Sequence, residues 1–447
     1  MPDSVCFRWI VAAALCLATT AAVAQRRAEP ALWPQPRGLD ARRLERAGLR
    51  IVQSERLTLV TDLAPSSAVD TLGALFDAAT PLWAERFGVD GKRLDGWRAR
   101  AYLMGDRARF DALGLTPERD FPDGLNLGAE IWLVDQPSDY YRRHLLLHEG
   151  THAFMATLLG GCGPGWYMEG VAELCGTHRW DAASGELTLG VIPASRQDAR
   201  MWGRTRLVRD AVEGGRGLPI EAVMRLDNRS AMPAESYAWT WALAKWLDTH
   251  PRYRQRFRAL HHNVLWSDFN ERFRTAYADD WQDLQAEWRQ YVHAVGYGYD
   301  YEREAIDFRD GSAMGDRPHT TQVAADRGWQ SSGVRVEAGR AYRLTAEGRF
   351  RVAAEPDGTP WPCEPGGVTL AWRDGRPLGE LLAAVDPPTA NTATVDSSGG
   401  FAAPTPVGLG ATLRPGFSGT LYLRVNDGEA GLAENSGELT VRITQQP

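Results

Sequence analysis

Residues 145–173 read LLLHEGTHAFMATLLGGCGPGWYMEGVAE, and this stretch decides the fold of the first half of the chain. Within it, His148-Glu149-Gly150-Thr151-His152 continues an apolar helical pattern that begins at Leu145. Residues four apart on a helix share one face, so both imidazoles can reach one metal ion, and Glu149 can reach a water beside that ion. The pattern therefore predicts a helix that carries two metal ligands.

A second segment is needed for the third ligand, because two histidines do not hold zinc in a catalytic site. Sixteen residues separate His152 from Glu169, which lies in the run WYMEGVAE (166–173). The intervening GGCGPG (160–165) lets the chain reverse, so we expect Glu169 to begin a second helix packed against the first. Glu173 follows one turn later on the same face, where a carboxylate can accept the second ring N–H of a ligand histidine.

The spacing of these residues resembles that of the gluzincin zinc metallopeptidases, in their peptidase MA-like branch, over roughly residues 50–295. The resemblance implies a thermolysin-like α+β domain in which His148, His152 and Glu169 bind zinc. It implies Glu149 as general base and Glu173 as the acidic residue behind the ligands.

Tyr237, in ESYAW (235–239) at the start of a later helix, resembles the tyrosine that many gluzincins use to stabilise the oxyanion. Packing of this ring into the core is an equal alternative. Trp239, Trp241 and Trp246 follow at helical spacing, and we expect them in the core.

The predicted activity is that of a secreted zinc metallohydrolase acting on a peptide or protein. Endopeptidase action is favoured because no G-x-M-E-N exopeptidase motif occurs. Two alternatives remain open: a carbohydrate-binding protein whose gluzincin domain is catalytically idle, and an amidase acting on cell-wall material. The presence of Glu149 argues against an idle domain.

Arg8 is followed by an apolar run that ends in Ala22-Val23-Ala24, which is the pattern of a secretory signal peptide over residues 1–24. An uncleaved membrane anchor is the alternative. This pattern predicts a secreted or periplasmic bacterial protein. No later run approaches the roughly 18 apolar residues that a membrane span requires, so we expect no transmembrane segment after signal removal.

Three further segments follow the leader. Residues 25–309 combine a few strands with many helices, as in an α+β metallopeptidase domain. Residues 310–324 are rich in glycine and polar residues and predict a linker. Residues 325–447 hold short alternating runs separated by turn signals, which predict an all-β sandwich.

This last segment resembles the galactophilic-lectin-like β-sandwich that is appended to some bacterial secreted enzymes. The resemblance is carried by WQ (329–330), GVRV (333–336), GRPLG (375–379), LYLRVNDG (421–428) and ENSG (434–437). It implies calcium bound by Asp427, Glu434 and Asn435, and through calcium a glycan. A plain turn at Asn426-Asp427-Gly428 is the alternative.

Three cysteines remain after the leader, namely Cys162, Cys175 and Cys363. Cys162 and Cys175 flank Glu169, and in an oxidising compartment we expect them to form a disulfide. Three unpaired thiols are the alternative, and Cys363 has no predicted partner.

Composition excludes several classes of protein. Hydrophobic residues make up 44% and charged residues 24% of the chain, which is typical of a globular protein. The formal net charge of −7 offers no electrostatic basis for binding nucleic acid.

Overall fold

The computed structural model describes residues 36, 38–195, 197–198, 203–227, 232–315, 317–354, 359–385, 395, 400–428 and 430–446. The predicted signal peptide lies outside these ranges. The described chain has mixed α and β content with several sheets. None of its helices combines the length and apolar character needed to cross a bilayer.

A five-stranded sheet backs the first half of the molecule. Its strands are β1 (Arg50–Gln53), β2 (Leu57–Thr61), β3 (Ala99–Met104), β4 (Gly124–Leu127) and β5 (Glu130–Val134). The order is β1-β2-β3-β5-β4, with β2, β3 and β5 parallel and the two outer strands antiparallel to their neighbours. The alternating or apolar runs over 49–63, 99–105 and 129–135 predict β1, β2, β3 and β5, whereas no such run predicts the short edge strand β4.

Helices cover this sheet and extend well beyond it. They are α1 (Ala41–Arg46), α2 (Ser67–Asp70), α3 (Leu72–Arg86), α4 (Arg107–Asp111), α5 (Asp139–Phe154), α6 (Gly165–Gly176), α7 (Arg204–Glu213), α8 (Ile220–Val223), α9 (Ala234–Thr249), α10 (Arg254–Ala259), α11 (Phe269–Ala276) and α12 (Trp281–Ala294). A small hairpin of β6 (His178–Asp181) and β7 (Glu186–Leu189) follows α6. Helix α6 begins at Gly165, so Glu169 lies inside the helix and not at its start as predicted.

Large aromatic side chains fill the core between these helices. Trp239, Trp241 and Trp246 of α9 are at most 1% exposed, which confirms that they pack in the core. Helix α3 lies directly against α5 at Gly150. A Cβ added at Gly150 would come within 2.7 Å of the Trp83 ring of α3, so glycine at this position of α5 allows the close contact.

The second half of the chain consists of two larger sheets packed around a separate apolar core, together with one small two-stranded sheet. Its strands are β8 (Ser312–Ala313), β9 (His319–Ala324), β10 (Gln330–Val336), β11 (Tyr342–Glu347), β12 (Phe350–Ala354), β13 (Pro360–Cys363), β14 (Gly366–Arg373), β15 (Arg376–Val385), β16 (Thr405–Pro406), β17 (Gly410–Leu413), β18 (Gly419–Val425) and β19 (Glu438–Gln445). One sheet has the order β14-β15-β18-β10-β8, with β16 beside β15, and the other has the order β17-β11-β19-β9. Alternating buried positions, as in β11, form the core between them.

The segment 310–324 was predicted to be a linker, but it contributes two strands to the sandwich. Strand β8 pairs with β10, and β9 pairs along its whole length with β19. Only Val323 of β9 is fully buried, because β9 is an edge strand. Its polar sequence therefore resembles a linker although it belongs to the sandwich.

The two halves are joined through a buried interface. Arg424 of β18 forms a bidentate ion pair with Glu304, with N–O distances of 3.0 and 3.1 Å. The side chains of Arg424 and Glu304 are only 7% and 2% exposed. An apolar cluster that includes Ile306, Trp329 and Phe401 surrounds the pair. A buried, hydrogen-bonded pair of this kind is costly to separate, so it fixes the sandwich against the helices.

Candidate metal centre

Helix α5 presents the predicted histidines on one buried face. It begins after Ser138, whose hydroxyl accepts a hydrogen bond from the Tyr141 backbone N–H at 3.2 Å and caps the helix. A π-helical turn over Met155–Leu159 ends it, and Gly160 then adopts a left-handed conformation with φ of 82°. This sharp end lets the chain turn back and pack α6 against α5.

Helix α6 carries the predicted third ligand and packs unusually close to α9. A Cβ at Gly170 would lie 2.5 Å from the backbone oxygen of Thr240 and 3.0 Å from Ala244, so only glycine allows this approach. Glu169 precedes this contact, and Tyr237 lies one turn before Thr240 on α9. The close packing of α6 on α9 therefore brings Glu169 and Tyr237 to the same place.

The three predicted ligand atoms converge. Nε2 of His148 and Nε2 of His152 are 3.1 Å apart, and Oε2 of Glu169 lies 3.2 and 3.4 Å from them. Atoms bound about 2.0–2.1 Å from a tetrahedral ion are about 3.3 Å from each other. The donor set of two imidazoles and one carboxylate, with this spacing, fits a zinc ion.

A second group of polar side chains lies behind the ligands. Oε1 of Glu173 is 3.3 Å from Nδ1 of His148 and 3.6 Å from Nε2 of His144, and Oε2 accepts a 2.8 Å hydrogen bond from Nε of Arg204. Glu173 is therefore placed to orient His148, as predicted, while Arg204 of α7 fixes the carboxylate. His144, His148 and Glu173 also form a second group whose atoms could hold a metal.

The carboxylates make the centre attract positive charge. Burial alone lowers the pKa of an imidazole, but Glu169 outweighs it and raises the pKa of His152 to about 9. Glu169 and Glu173 likewise hold the pKa of His148 well above its ordinary value. Burial opposes ionisation of Glu173, yet Arg204 and His144 hold its pKa well below the usual range.

Glu149 lies on the same buried helix beside the edge strand β4. A Cβ at Gly124 of β4 would lie 2.5 Å from Oε1 of Glu149, so the strand passes directly over this carboxylate. Burial raises the pKa of Glu149, although the neighbouring histidines act in the opposite direction. A buried carboxylate beside the proposed ligands has the position that a general base requires.

Tyr237 faces the centre. Its ring centroid is 6.3 Å from that of His148, and the ring is half-buried. Burial, followed by the charges of Glu169 and Glu173, raises the pKa of the phenol, so it remains a hydrogen-bond donor. The structure thus brings together all the predicted residues of this site.

The predicted disulfide between Cys162 and Cys175 is not formed, because both residues are free thiols in the structure. Cys175 lies ten residues beyond Gly165, the start of α6. The Sγ atom of Cys162 instead lies 3.9 Å from the backbone oxygen of His152.

The predicted calcium loop of the sandwich is only partly assembled. Oδ2 of Asp427 accepts a 2.7 Å hydrogen bond from the Asn435 side-chain amide, and Oδ1 accepts one from the Gly428 backbone N–H at 2.6 Å. Glu434 is exposed on a 3₁₀ turn. In the described part of the sandwich, no three His, Cys, Asp or Glu side chains converge. Calcium there stays a prediction.

Two features of the centre were missed by the sequence reasoning. Arg204 belongs to α7, whose buried positions Thr205, Val208 and Ala211 have helical spacing, so the helix itself could have been predicted. Its contact with Glu173 joins residues 31 positions apart and leaves no local signal. Strand β4 is four residues long, which is too short for a clear alternating pattern.

No protein-family sequence model and no curated protein sequence matches this chain. Among solved structures, the chain is similar to the N-terminal domain of EclA, a PllA-like lectin, with 22% identity and a TM-score of 0.21, over 28% of this chain and 95% of that one.

The chain is also similar to the IMPa metallopeptidase in complex with T-antigen, with 11% identity and a TM-score of 0.17, over 87% of this chain and 46% of that one. For IMPa from Pseudomonas aeruginosa in complex with an O-glycopeptide, the identity is 9%, with the same TM-score of 0.17 and the same coverage of 87% and 46%. The chain thus spans less than half the length of the IMPa chains. TM-scores this low do not establish a common fold, so the function rests on the geometry of the centre.

Proposed function

We propose that the chain is an exported zinc metallopeptidase of the gluzincin type, with its active centre between α5, α6 and α9. The observation that carries the proposal is the spacing of 3.1–3.4 Å among Nε2 of His148, Nε2 of His152 and Oε2 of Glu169. This spacing is expected of three ligands on one tetrahedral ion. His148, His152 and Glu169 would hold such an ion, which would then activate water or substrate.

A zinc ion in this site supplies Lewis-acid activation of water and of a substrate carbonyl. Glu149 takes the proton of the attacking water and passes it to the leaving amine, for which its buried carboxyl with a raised pKa is suited. The Tyr237 hydroxyl donates a hydrogen bond to the oxyanion that develops on the carbonyl oxygen.

Residues behind the ligands keep the centre in one geometry. The Glu173 carboxylate lies 3.3 Å from Nδ1 of His148, where it favours the tautomer with the proton on Nδ1 and leaves Nε2 able to bind the ion. Arg204 donates to the other carboxylate oxygen and prevents Glu173 from rotating away.

The edge strand β4 supports an extended peptide as substrate. It is the last strand of its sheet, and Gly124 brings its backbone against Glu149. A peptide that adds to this edge as a further strand would pass the proposed base. A linear protein segment, cleaved internally, is therefore the favoured substrate.

A cell-wall amidase would use the same ligands and the same base. An idle domain is disfavoured because Glu149, Tyr237 and all three proposed ligands converge.

The test combines metal content with cleavage of a peptide library. The purified protein should contain one zinc per chain and should lose cleavage on treatment with a chelator. Glu149→Gln should keep the zinc but lower the turnover by about 10²–10⁴-fold, because an amide cannot accept the proton of the water. Unchanged cleavage in Glu149→Gln, or the absence of zinc from the wild type, would contradict the proposal.

A further inference from the structure

A cavity of about 290 Å³ lies where the sandwich meets the helices. Arg209 and Glu213 of α7 and Gln290 of α12 form one wall. The opposite wall comes from the sandwich and includes Arg376 and Asn426. His148, His152 and Glu169 are not part of the lining. The cavity is thus separate from the metal centre and is built by both halves of the chain.

The charges of the lining are balanced. Four arginines and four carboxylates surround the cavity, and several of them stand in pairs. Arg424 lies 3.0 Å from Glu304, and Arg373 lies 3.2 Å from Asp374. An ion of either sign therefore gains no net attraction from the cavity. Instead, guanidinium groups that donate hydrogen bonds lie beside carboxylates that accept them.

This arrangement suits hydroxyl groups. A hydroxyl both donates and accepts hydrogen bonds, whereas guanidinium only donates and carboxylate only accepts. Neighbouring hydroxyls of one ligand can therefore accept from an arginine and donate to the carboxylate beside it. The Asn426 amide donates to the carbonyls of Arg373 and Pro377 at 3.2 and 2.9 Å, which fixes the side chain and leaves its oxygen to accept from a ligand hydroxyl.

Trp329 provides a second, independent indication. Its side chain lines the cavity and is 1% exposed, and its indole N–H has no acceptor among the described residues. A buried donor without a partner is costly, and a ligand oxygen that reached this N–H would relieve that cost. The ring of Phe401, whose centroid is 5.4 Å from that of Trp329, adds an apolar surface for the C–H face of a ring-shaped ligand.

We propose that this cavity between the helices and the sandwich is a binding site for a neutral saccharide, independent of calcium. It shares Asp427 with the loop of Asp427, Glu434 and Asn435 that the lectin resemblance implies, but its ligand contacts arginine side chains from both halves and needs no ion. It does not rest on the proposed peptidase activity.

The test uses the full-length mature protein in calcium-free buffer. Galactose, mannose, glucose, N-acetylglucosamine and lactose are titrated by calorimetry and by saturation-transfer NMR, with N-acetylneuraminic acid as the charged comparison. We expect saturable binding of at least one neutral sugar, at one site per chain, with no strengthening when calcium is added. N-acetylneuraminic acid should bind no more tightly than that sugar.

Two variants and two matched controls identify the site. Arg209→Gln and Arg376→Gln should each weaken the affinity at least about tenfold, which corresponds to about 1.4 kcal/mol. Arg206→Gln, one turn from Arg209 and 75% exposed, should have no effect. Arg349→Gln, 83% exposed on the sandwich, should have none either. Thermal unfolding of each variant checks that it is folded.

Three results would overturn the proposal. The first is the absence of saturable binding for every neutral sugar tested. The second is an affinity that is unchanged in both Arg209→Gln and Arg376→Gln. The third is binding that requires calcium and is lost in Glu434→Gln, which would assign the sugar to the loop.

Discussion

Replacement of Glu173 by glutamine should weaken zinc binding although Glu173 is not a ligand. Its carboxylate lies 3.3 Å from Nδ1 of His148 and accepts from Arg204 at 2.8 Å, and it is 3% exposed. Glutamine cannot satisfy both neighbours. If its oxygen faces Arg204, its amide N–H₂ meets Nδ1 of His148 and moves the ring proton to Nε2, the atom that binds zinc. If it is reversed, the amide N–H₂ meets the buried guanidinium.

The magnitude follows from the loss of this single contact. Removal of a carboxylate that orients a ligand histidine costs about 10- to 100-fold in metal affinity. This range corresponds to about 1.4–2.8 kcal/mol. Arg204 also loses its carboxylate in a buried place, so the free energy of unfolding of the apoprotein should fall as well.

The assay is competition for zinc against a chelating indicator, with the unfolding of each apoprotein measured in parallel. Glu186→Gln makes the same change of charge on the exposed face of β7 and serves as the control. We expect wild-type affinity in Glu186→Gln. An affinity of Glu173→Gln within about twofold of wild type would refute the proposed role of Glu173, and so would an equal loss in both variants.

Three further predictions concern Tyr237, Gly170 and Asp283. Tyr237→Phe should retain zinc and lose about 10²-fold in turnover, and unchanged turnover would show that the ring only packs. Gly170→Ala should lower the free energy of unfolding by about 1–3 kcal/mol in denaturant titration, because its Cβ would lie 2.5 Å from a backbone oxygen of α9, whereas Gly416→Ala meets nothing within 4 Å and should be neutral. Burial raises the pKa of Asp283 from 3.8 to about 6, so its ionisation destabilises the folded protein as the pH rises through this interval. Asp283→Asn should therefore gain stability relative to wild type between pH 4 and 7, and equal slopes of unfolding free energy against pH would contradict this.

The residues of the proposed metal site could be found from the sequence because their arrangement is local. His148 and His152 lie one helical turn apart, and so do Glu169 and Glu173, so the helical period alone aligns each pair. The sandwich was predicted for the same reason, since alternation of buried and exposed residues along β11 is a property of consecutive positions.

The tertiary structure decided what depends on residues far apart in the chain. It brought Arg204 to Glu173, laid β4 over Glu149, and enclosed a cavity between α7 and the sandwich. It also left Cys162 and Cys175 as free thiols. The periodicity of a sequence predicts which residues share one face of a helix or strand. It does not predict which distant element packs against that face, because that depends on how whole helices and sheets pack together.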